Sequence, residues 1–175
     1  MKFEHYIIRP LIMDDLLPYF DMVQRNRSRL GDFFTGTVSR TGSLEDTRLF
    51  LEDITERAKS KTYFPYLIID EENGAFAGFL DLKNIDWSIP KSEVGCYIDM
   101  DYASKGIGMK AFQVFCEFCF STFQFRKLFL RTHESNIAAK RIAENSGFQQ
   151  EGTIRCDYKT ASGDIVDLIY YGRLS

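Results

Sequence analysis

The residues best suited to chemistry stand close together in the segment 99–111, which reads DMDYASKGIGMKA. Gly106 and Gly108 remove side chains where another group can approach the backbone, and Lys105 and Lys110 add positive charge. An apolar run of helical period follows, so the glycines open a helix whose first N–H groups lack helical acceptors. Such a loop binds phosphate groups. Taken alone, it is equally compatible with a turn that uses its glycines for helix packing.

This loop differs from the two common nucleotide-binding patterns. No Lys-Ser or Lys-Thr pair follows the glycines as in a Walker A loop, and Ala111 stands where G-x-G-x-x-G has its third glycine. A nucleotide-phosphate-binding protein would also need a base-specific pocket and a metal site, and the sequence shows a pattern for neither.

The cysteines offer a second possible chemistry. Cys116 and Cys119 form a C-x-x-C pair, but the pair lies deep inside an apolar helical run. A redox pair would instead stand at the start of a helix after a strand. A zinc site would need two more soft ligands at suitable spacing, and none is near. We therefore expect core thiols and no metal site.

Length and composition set limits on the whole chain. Its 175 residues, 45% of them hydrophobic, suit one domain with a sizeable core. The net charge of −3 excludes a strongly basic protein held to nucleic acid by bulk charge. No apolar run approaches the roughly 18–20 residues that span a bilayer, and the N-terminus shows no signal-peptide pattern. The expected setting is the cytoplasm, with neither nucleic acid nor membrane as a partner.

Hydrophobic patterning predicts the elements that position the loop. Predicted strands cover 5–9, 63–69, 76–82, 92–100, 128–132, 149–158 and 165–173, and predicted helices cover 14–24, 43–59, 106–122 and 136–145. This order gives an α/β protein of the α+β type, with a mixed, mostly antiparallel sheet, one β-α-β crossover and four flanking helices in a single domain, 1–175. Because strands and helices do not alternate throughout, a doubly wound dinucleotide fold is excluded.

Three stretches resemble the GNAT superfamily of N-acetyltransferases, and within it the group related to ribosomal-protein N-terminal (serine/alanine) acetyltransferases. They are IRPL followed by Asp14-Asp15, the string SEVGCYIDMDYASKGIGMKAF, and HESNIAAKRIAENSGFQQEG after the next strand. The resemblance covers nearly the whole chain. It implies an enzyme that moves the acetyl group of acetyl-CoA to a primary amine by direct attack in a ternary complex. It also implies a sheet splayed at one parallel strand pair, and homodimers are common in the family.

The resemblance also implies where acetyl-CoA binds. The strand ending at Met100 parts from the strand beginning near Lys127, pantetheine enters the gap, and the pyrophosphate lies on N–H groups of the glycine loop. Asn136 matches an asparagine that contacts the pantetheine arm, whereas Lys140 and Arg141 are either cofactor contacts or a solvated helix face. The implied cofactor-binding residues are Ile98, Asp99, Met100, Ser104, Lys105, Gly106, Ile107, Gly108, Met109, Asn136, Lys140 and Arg141.

The expected catalytic residue is Glu93, which begins the strand that leads to the loop and matches a family position of a general base. Its alternative is a surface glutamate at a strand start. Two positions depart from the family: Ala103 replaces Gln or Arg at the loop start, and Ala139 replaces a serine proposed to protonate the departing thiolate. Covalent catalysis by Cys96 is a minor alternative, because no His or acid stands beside it in sequence.

The acceptor amine is expected to belong to a peptide, a protein or a small molecule. The loop between the first two helices, around Leu30, Phe33 and Phe34, is the expected acceptor site, since loops carry specificity on a rigid scaffold. Trp87 and Tyr158 are weaker candidates, and all these aromatic residues can instead be core packing. A second interpretation, prompted by the two alanine replacements, is a CoA-binding sensor or scaffold module that has lost catalysis.

Overall fold

Eight strands form one sheet in a computed structural model that describes residues 1–175. The strands are β1 Lys2–Phe3, β2 Tyr6–Pro10, β3 Phe64–Asp70, β4 Phe76–Asp86, β5 Lys91–Ile98, β6 Lys127–Thr132, β7 Gln149–Lys159 and β8 Ile165–Leu174. The helices are α1 Leu16–Leu30, α2 Thr35–Ser39, α3 Leu44–Lys59, α4 Ile107–Phe123 and α5 Ile137–Asn145. The strand order is β1-β2-β3-β4-β5-β6-β8-β7, and only the β5–β6 pair is parallel. The predicted fold class is confirmed.

The sheet splays at its parallel pair, as expected. β5 and β6 pair only at their first residues, where Glu93 lies opposite Phe129. Beyond this point β5 continues to Ile98 alongside β4, and β6 continues to Thr132 alongside β8. A gap therefore opens in the middle of the sheet, immediately after Glu93.

Helices cover both faces of the sheet because the strand side chains alternate in direction. On one face α4 and α5 pack on residues such as Leu80 and Val94, and on the other α1 and α3 pack on Phe79 and Tyr97. α4 buries seven of its 17 residues, but no helix combines the length and apolar character needed to cross a membrane.

The C-x-x-C pair lies on the buried face of α4. Cys116 and Cys119 are fully buried and unpaired. Burial raises the pKa of both thiols well above the usual value for cysteine. The expectation of core thiols is therefore confirmed.

The predicted elements differ from the observed ones mainly around the cleft. α1 runs six residues past its predicted end at 24, to Leu30, because Asn26 on its inner face bonds the Met22 carbonyl and the buried Asp99. The segment predicted as irregular contains the short helix α2. The strand predicted to reach Met100 ends at Ile98, since Asp99 caps a 3-10 turn over Met100–Tyr102.

Candidate active site

The loop between β5 and α4 presents a row of backbone N–H groups that have no protein acceptor. The first helical bond of α4 runs from the Lys110 N–H to the Gly106 carbonyl, at 3.2 Å, and the N–H groups of residues 104–109 donate to no protein atom. Ser104 and Gly106 have φ values of 62° and 79°, which turn the chain into the helix. Six free donors at the positive end of a helix fit a pyrophosphate group.

Gly108 allows this helix end to approach the gap. A Cβ at Gly108 would lie 2.9 Å from Cγ1 of Ile98 and 3.6 Å from Cδ1 of Ile142. The first turn of α4 is therefore pressed against the end of β5. This glycine therefore serves close packing, and its N–H stays free, so phosphate binding by the loop stays a prediction.

The two lysines of the loop have protein partners. Lys105 donates to the Asp101 carbonyl at 2.7 Å, and Lys110 pairs with Glu4. Next to them the Tyr102 hydroxyl donates to Oδ2 of Asp70 at 3.0 Å, which ties the loop to the β3–β4 turn. The loop is therefore held in position by the protein itself.

The backbone at the end of β5 is divided between the protein and the gap. The Asp99 N–H donates to the Ala77 carbonyl at 2.9 Å, and the Met100 N–H donates to Oδ1 of Asn26 at 2.9 Å. Because backbone groups alternate in an antiparallel strand, Cys96 and Ile98 turn theirs toward the gap. Of the three residues expected to pair with pantetheine, Ile98 thus offers a free N–H there, while its carbonyl accepts from Nη1 of Arg29 at 3.5 Å.

Asp99 instead anchors α1 to the cofactor loop. Its carboxylate is fully buried and accepts hydrogen bonds from Nε of Arg25 at 2.7 Å and Nδ2 of Asn26 at 2.9 Å. Asn26 in turn accepts the Met100 N–H. A direct contact between Asp99 and the cofactor stays a prediction.

A cleft passes through the sheet at the gap. Its α4 and α5 side is apolar, with Phe112, Ala139 and Ile142 in the wall. Its opposite side is polar and aromatic, with Phe33, Phe34, Lys83, Glu93, Arg131 and Tyr158. We call these the cofactor side and the acceptor side of the cleft, after the roles predicted for their residues.

Asn136 lies in the cleft wall and also caps α5. Its Oδ1 accepts the Ala139 N–H at 3.1 Å, while its Nδ2 donates to no protein atom and can donate to a pantetheine carbonyl. Lys140 lies instead in a separate polar cavity beside Asp167, and Arg141 is exposed. Neither of these two cations lines the cleft, so their contact with the cofactor stays a prediction.

Glu93 lies where the parallel strands part, and it is only 4% exposed. Its Oε2 accepts hydrogen bonds from Nδ2 of Asn84 at 2.6 Å and from the Arg131 guanidinium at 3.0 Å. Its Oε1 has no hydrogen-bond donor and lies 3.9 Å from Nζ of Lys83. The alternative of a surface glutamate is therefore wrong: one oxygen is fixed, and the other is available to the cleft.

The partners of Glu93 were missed from the sequence. Arg131 also bonds Oδ2 of Asp157 at 3.2 Å, which links the gap to β7. Burial alone would lower the pKa of Lys83, but the carboxylates of Asp81 and Glu93 raise it above its ordinary value, so Lys83 is a cation. One signal was present: Asp81 and Lys83 interrupt the apolar start of β4, and Arg131 follows three apolar residues in β6.

The thiol of Cys96 lies in the cleft wall, but it is poorly suited to act as a nucleophile. Burial raises its pKa to about 12, and the nearby Asp81 adds to the effect. A thiol with this pKa holds almost no thiolate at neutral pH. The geometry therefore supports direct attack rather than covalent catalysis.

The acceptor side contains two of the three predicted acceptor residues. Phe33 and Phe34 line the cleft, whereas Leu30 is buried in the core between α1 and α3 and only accepts their N–H groups through its carbonyl. Leu30 is therefore corrected to a core residue. Tyr158 lines the cleft and accepts the Thr35 N–H at 3.0 Å, which joins β7 to α2.

The other weak aromatic candidate lies elsewhere. Trp87 stacks on Phe125 with ring centroids 5.2 Å apart and donates to the Lys61 carbonyl. It does not line the cleft.

Comparison with known proteins agrees with this geometry. The acetyltransferase (GNAT) domain family matches residues 5–149. A Bacillus subtilis (strain 168) protein named "Putative ribosomal N-acetyltransferase YdaF" is 26% identical over 173 residues, which is 98% of this chain and 92% of that protein.

Solved structures share the fold at lower identity. Ribosomal-protein-S5-alanine acetyltransferase from Vibrio fischeri has a TM-score of 0.91 at 21% identity, covering 99% of this chain and 95% of its own. RimL, a ribosomal L7/L12 alpha-N-protein acetyltransferase in complex with coenzyme A, has a TM-score of 0.87 at 19% identity, covering 97% and 94%. The family match spans most of the chain and includes the gap, the loop and Glu93, so this protein belongs to the GNAT family of N-acetyltransferases.

Proposed function

We propose that this protein transfers the acetyl group of acetyl-CoA to a primary amine, at a polypeptide N-terminus or on a small molecule, by direct attack in a ternary complex. The observation that carries the proposal is the gap in the sheet. A row of free N–H groups lies at one end of β5, and the buried carboxylate of Glu93 lies at the other. Structures with this fold include complexes with coenzyme A and with acetyl-CoA and AMP.

The residues present fit acetyl-CoA, which supplies an acetyl group activated as a thioester. The N–H groups of residues 104–109 would hold its pyrophosphate. The N–H of Ile98 and Nδ2 of Asn136 would hold the pantetheine amides, and Phe112 and Ile142 would exclude water from the arm.

Proton removal falls to Glu93. Asn84 and Arg131 hold Oε2, so Oε1 takes the proton of the acceptor amine directly or through one water molecule. An α-amino group with a pKa of about 7.7–8.0 is roughly one-tenth neutral at pH 7, a cost of about 1–1.4 kcal/mol. A lysine side chain with a pKa near 10.4 would cost roughly 4.6 kcal/mol. The free energy needed to deprotonate the acceptor is therefore smaller for an N-terminal amine than for a lysine side chain.

The acceptor class follows from the same argument and from the relatives. The Bacillus subtilis protein and several of the solved structures carry names of ribosomal-protein acetyltransferases, and one neighbour is a spermidine acetyltransferase chimera. We propose N-terminal amines of ribosomal proteins as the first acceptors to test, with the reaction taking place in the cytoplasm.

The test is isothermal titration with acetyl-CoA, followed by thiol release with a panel of N-terminal peptides, polyamines and amino acids. Binding and turnover with at least one amine are the expected result. Binding without turnover across the panel would favour the sensor or scaffold module instead. Absence of binding would overturn the proposal, and the loop would then serve packing only.

A further inference from the structure

Asp81 on β4 has an unpaired oxygen beneath the cleft. The residue is 5% exposed, and its Oδ2 accepts the Tyr63 hydroxyl at 2.6 Å. Its Oδ1 is buried and has no hydrogen-bond partner. A carboxylate oxygen left in this state is costly, so it calls for a ligand that the structure does not contain.

Oδ1 of Asp81 occupies space that is open because Gly95 has no side chain. Asp81 lies directly opposite Gly95 in the β4–β5 register, and a Cβ on Gly95 would stand 2.2 Å from Oδ1 of Asp81. Gly95 itself lines the cleft, and the next residue, Cys96, turns its backbone toward the gap. The unpaired oxygen therefore lies beside the place where the thioester must be reached.

The ammonium of Lys83 occupies the space between two carboxylates. Its Nζ lies 4.0 Å from Oδ1 of Asp81 and 3.9 Å from Oε1 of Glu93. Both distances are too long for a hydrogen bond, and Lys83 donates none to any protein atom. Its side chain is 31% exposed and ends in the cleft wall. This cation balances charge without satisfying either oxygen.

We infer that the acceptor's amine nitrogen binds where the Lys83 ammonium now lies, between Oδ1 of Asp81 and Oε1 of Glu93, and that Lys83 swings out to admit it. A primary ammonium is the same chemical group as the one already there, but it has no tether to β4. It can therefore approach both oxygens to hydrogen-bond distance. This inference rests on the proposed function and names its acceptor site.

The exchange defines the class of acceptor. Because one cation replaces another, the charge between the carboxylates stays constant when the amine enters in its protonated form. Two carboxylate oxygens need at least two N–H donors, and the nitrogen must also lose a proton to Glu93. The site therefore takes an unhindered primary amine and excludes quaternary ammonium groups.

The exchange can be observed without knowing the natural acceptor. Protein labelled with 13C at the lysine Cε would be titrated with n-butylammonium chloride, with the Lys83 signal identified from Lys83→Arg. Tetramethylammonium chloride at equal ionic strength and n-butanol serve as controls. The expected result is a saturable shift of the Lys83 signal with n-butylammonium alone. In Asp81→Asn, half-saturation should need about tenfold more amine, because a charge-assisted hydrogen bond is lost.

Two further measurements keep the test decisive. If Asp81→Asn does not fold, Glu93→Gln should show the same weakening, since it alters the other oxygen of the pair. A Lys83 signal that does not move, or that moves equally with tetramethylammonium, overturns the inference. Calorimetry with acetyl-CoA on the same sample separates this failure from a failure of the proposed function, because the cofactor side does not depend on Lys83.

Discussion

The two sides of the cleft are built in different ways. The cofactor side rests on backbone groups from one continuous segment, from Cys96 to Met109, and on the apolar wall of α4 and α5. The acceptor side rests on charged side chains from β4, β5 and β6, joined by aromatic residues that follow α1 and by Tyr158 from β7. A backbone site needs only a loop of the right shape, whereas a side-chain site needs distant strands in register.

This difference separates binding from chemistry. On the cofactor side the free N–H groups would bind any suitably placed phosphate, so side-chain changes there should alter binding little unless they change the backbone. On the acceptor side, the proposed role of Glu93 depends on the hydrogen bonds from Asn84 and Arg131 that hold it. Substitutions on one side should therefore leave the other side's function intact, and four substitutions test that separation.

The largest effect is expected at Glu93. Glu93→Gln should lower kcat by roughly 10²–10⁴-fold, because the amide cannot take the amine proton. The affinity for acetyl-CoA should not change, since the loop lies beyond the far end of β5. Steady-state kinetics and calorimetry measure the two quantities separately.

A matched control is Glu52→Gln, which removes a glutamate that also pairs with an arginine, Arg48, but on the outer surface of α3. It should leave both quantities unchanged. If Glu93→Gln turned over at the wild-type rate, Glu93 would have no part in proton removal.

The next effect tests the backbone site directly. Ile107 is the first residue of α4, where proline is tolerated because the N–H makes no helical bond. Ile107→Pro removes one N–H from the phosphate site, and acetyl-CoA binding should weaken by roughly tenfold to a hundredfold. Titration calorimetry measures the change.

The control for this variant is Ile107→Val, which also shortens a buried side chain but keeps the N–H. Its acetyl-CoA affinity should stay within about twofold of the wild type, since little packing is lost. Equal weakening in the two variants would mean that packing, rather than the N–H group, supports binding.

A smaller effect is expected at the link between β7 and α2. Tyr158→Phe removes the hydroxyl that accepts the Thr35 N–H at 3.0 Å but keeps the ring in the cleft. The same hydroxyl bonds Oγ1 of Thr35 at 2.8 Å, so the loop that carries Phe33 and Phe34 loses two neutral hydrogen bonds. KM for the acceptor should therefore rise about two- to tenfold. Acetyl-CoA affinity should not change, and a fall in it would show that the two sides are coupled through this loop.

The same difference decides what the sequence can predict. The glycine loop and the parallel pair were predicted because their signals are local: glycine spacing and strand-helix-strand order. Asn136 came from the family resemblance, and the structure places it in the cleft wall. Lys83 and Arg131 were missed because their meaning depends on which residue lies opposite in the sheet. Leu30 was assigned to the acceptor loop because α1 was predicted too short, and the contact that extends it, Asn26 with Asp99, spans 73 positions.

The smallest effect concerns how the protein holds the cofactor loop. Burial alone would raise the pKa of Asp70, but hydrogen bonds from the Glu72 N–H and the Tyr102 hydroxyl hold it below its ordinary 3.8. A carboxylate with a depressed pKa stabilises the fold above the unfolded value and loses that contribution as the pH falls through the folded value. Asp70→Asn should therefore be slightly less stable than wild type at pH 7, and the difference should shrink below about pH 3.8.

Urea unfolding at several pH values measures this difference. Tyr102→Phe removes only one of the hydrogen bonds to Asp70, so its stability loss at pH 7 should be smaller than that of Asp70→Asn. This loss should also shrink over the same acidic pH range. Both variants should bind acetyl-CoA more weakly if the hydrogen bond between Tyr102 and Asp70 positions the loop, while KM for the acceptor stays constant. A stability difference that persisted unchanged at pH 3 would mean that Asp70 contributes through packing and not through its charge. The Tyr102–Asp70 contact would then position the cofactor loop without an electrostatic contribution. The acceptor side differs, because the roles proposed there for Glu93 and Arg131 depend on their charges.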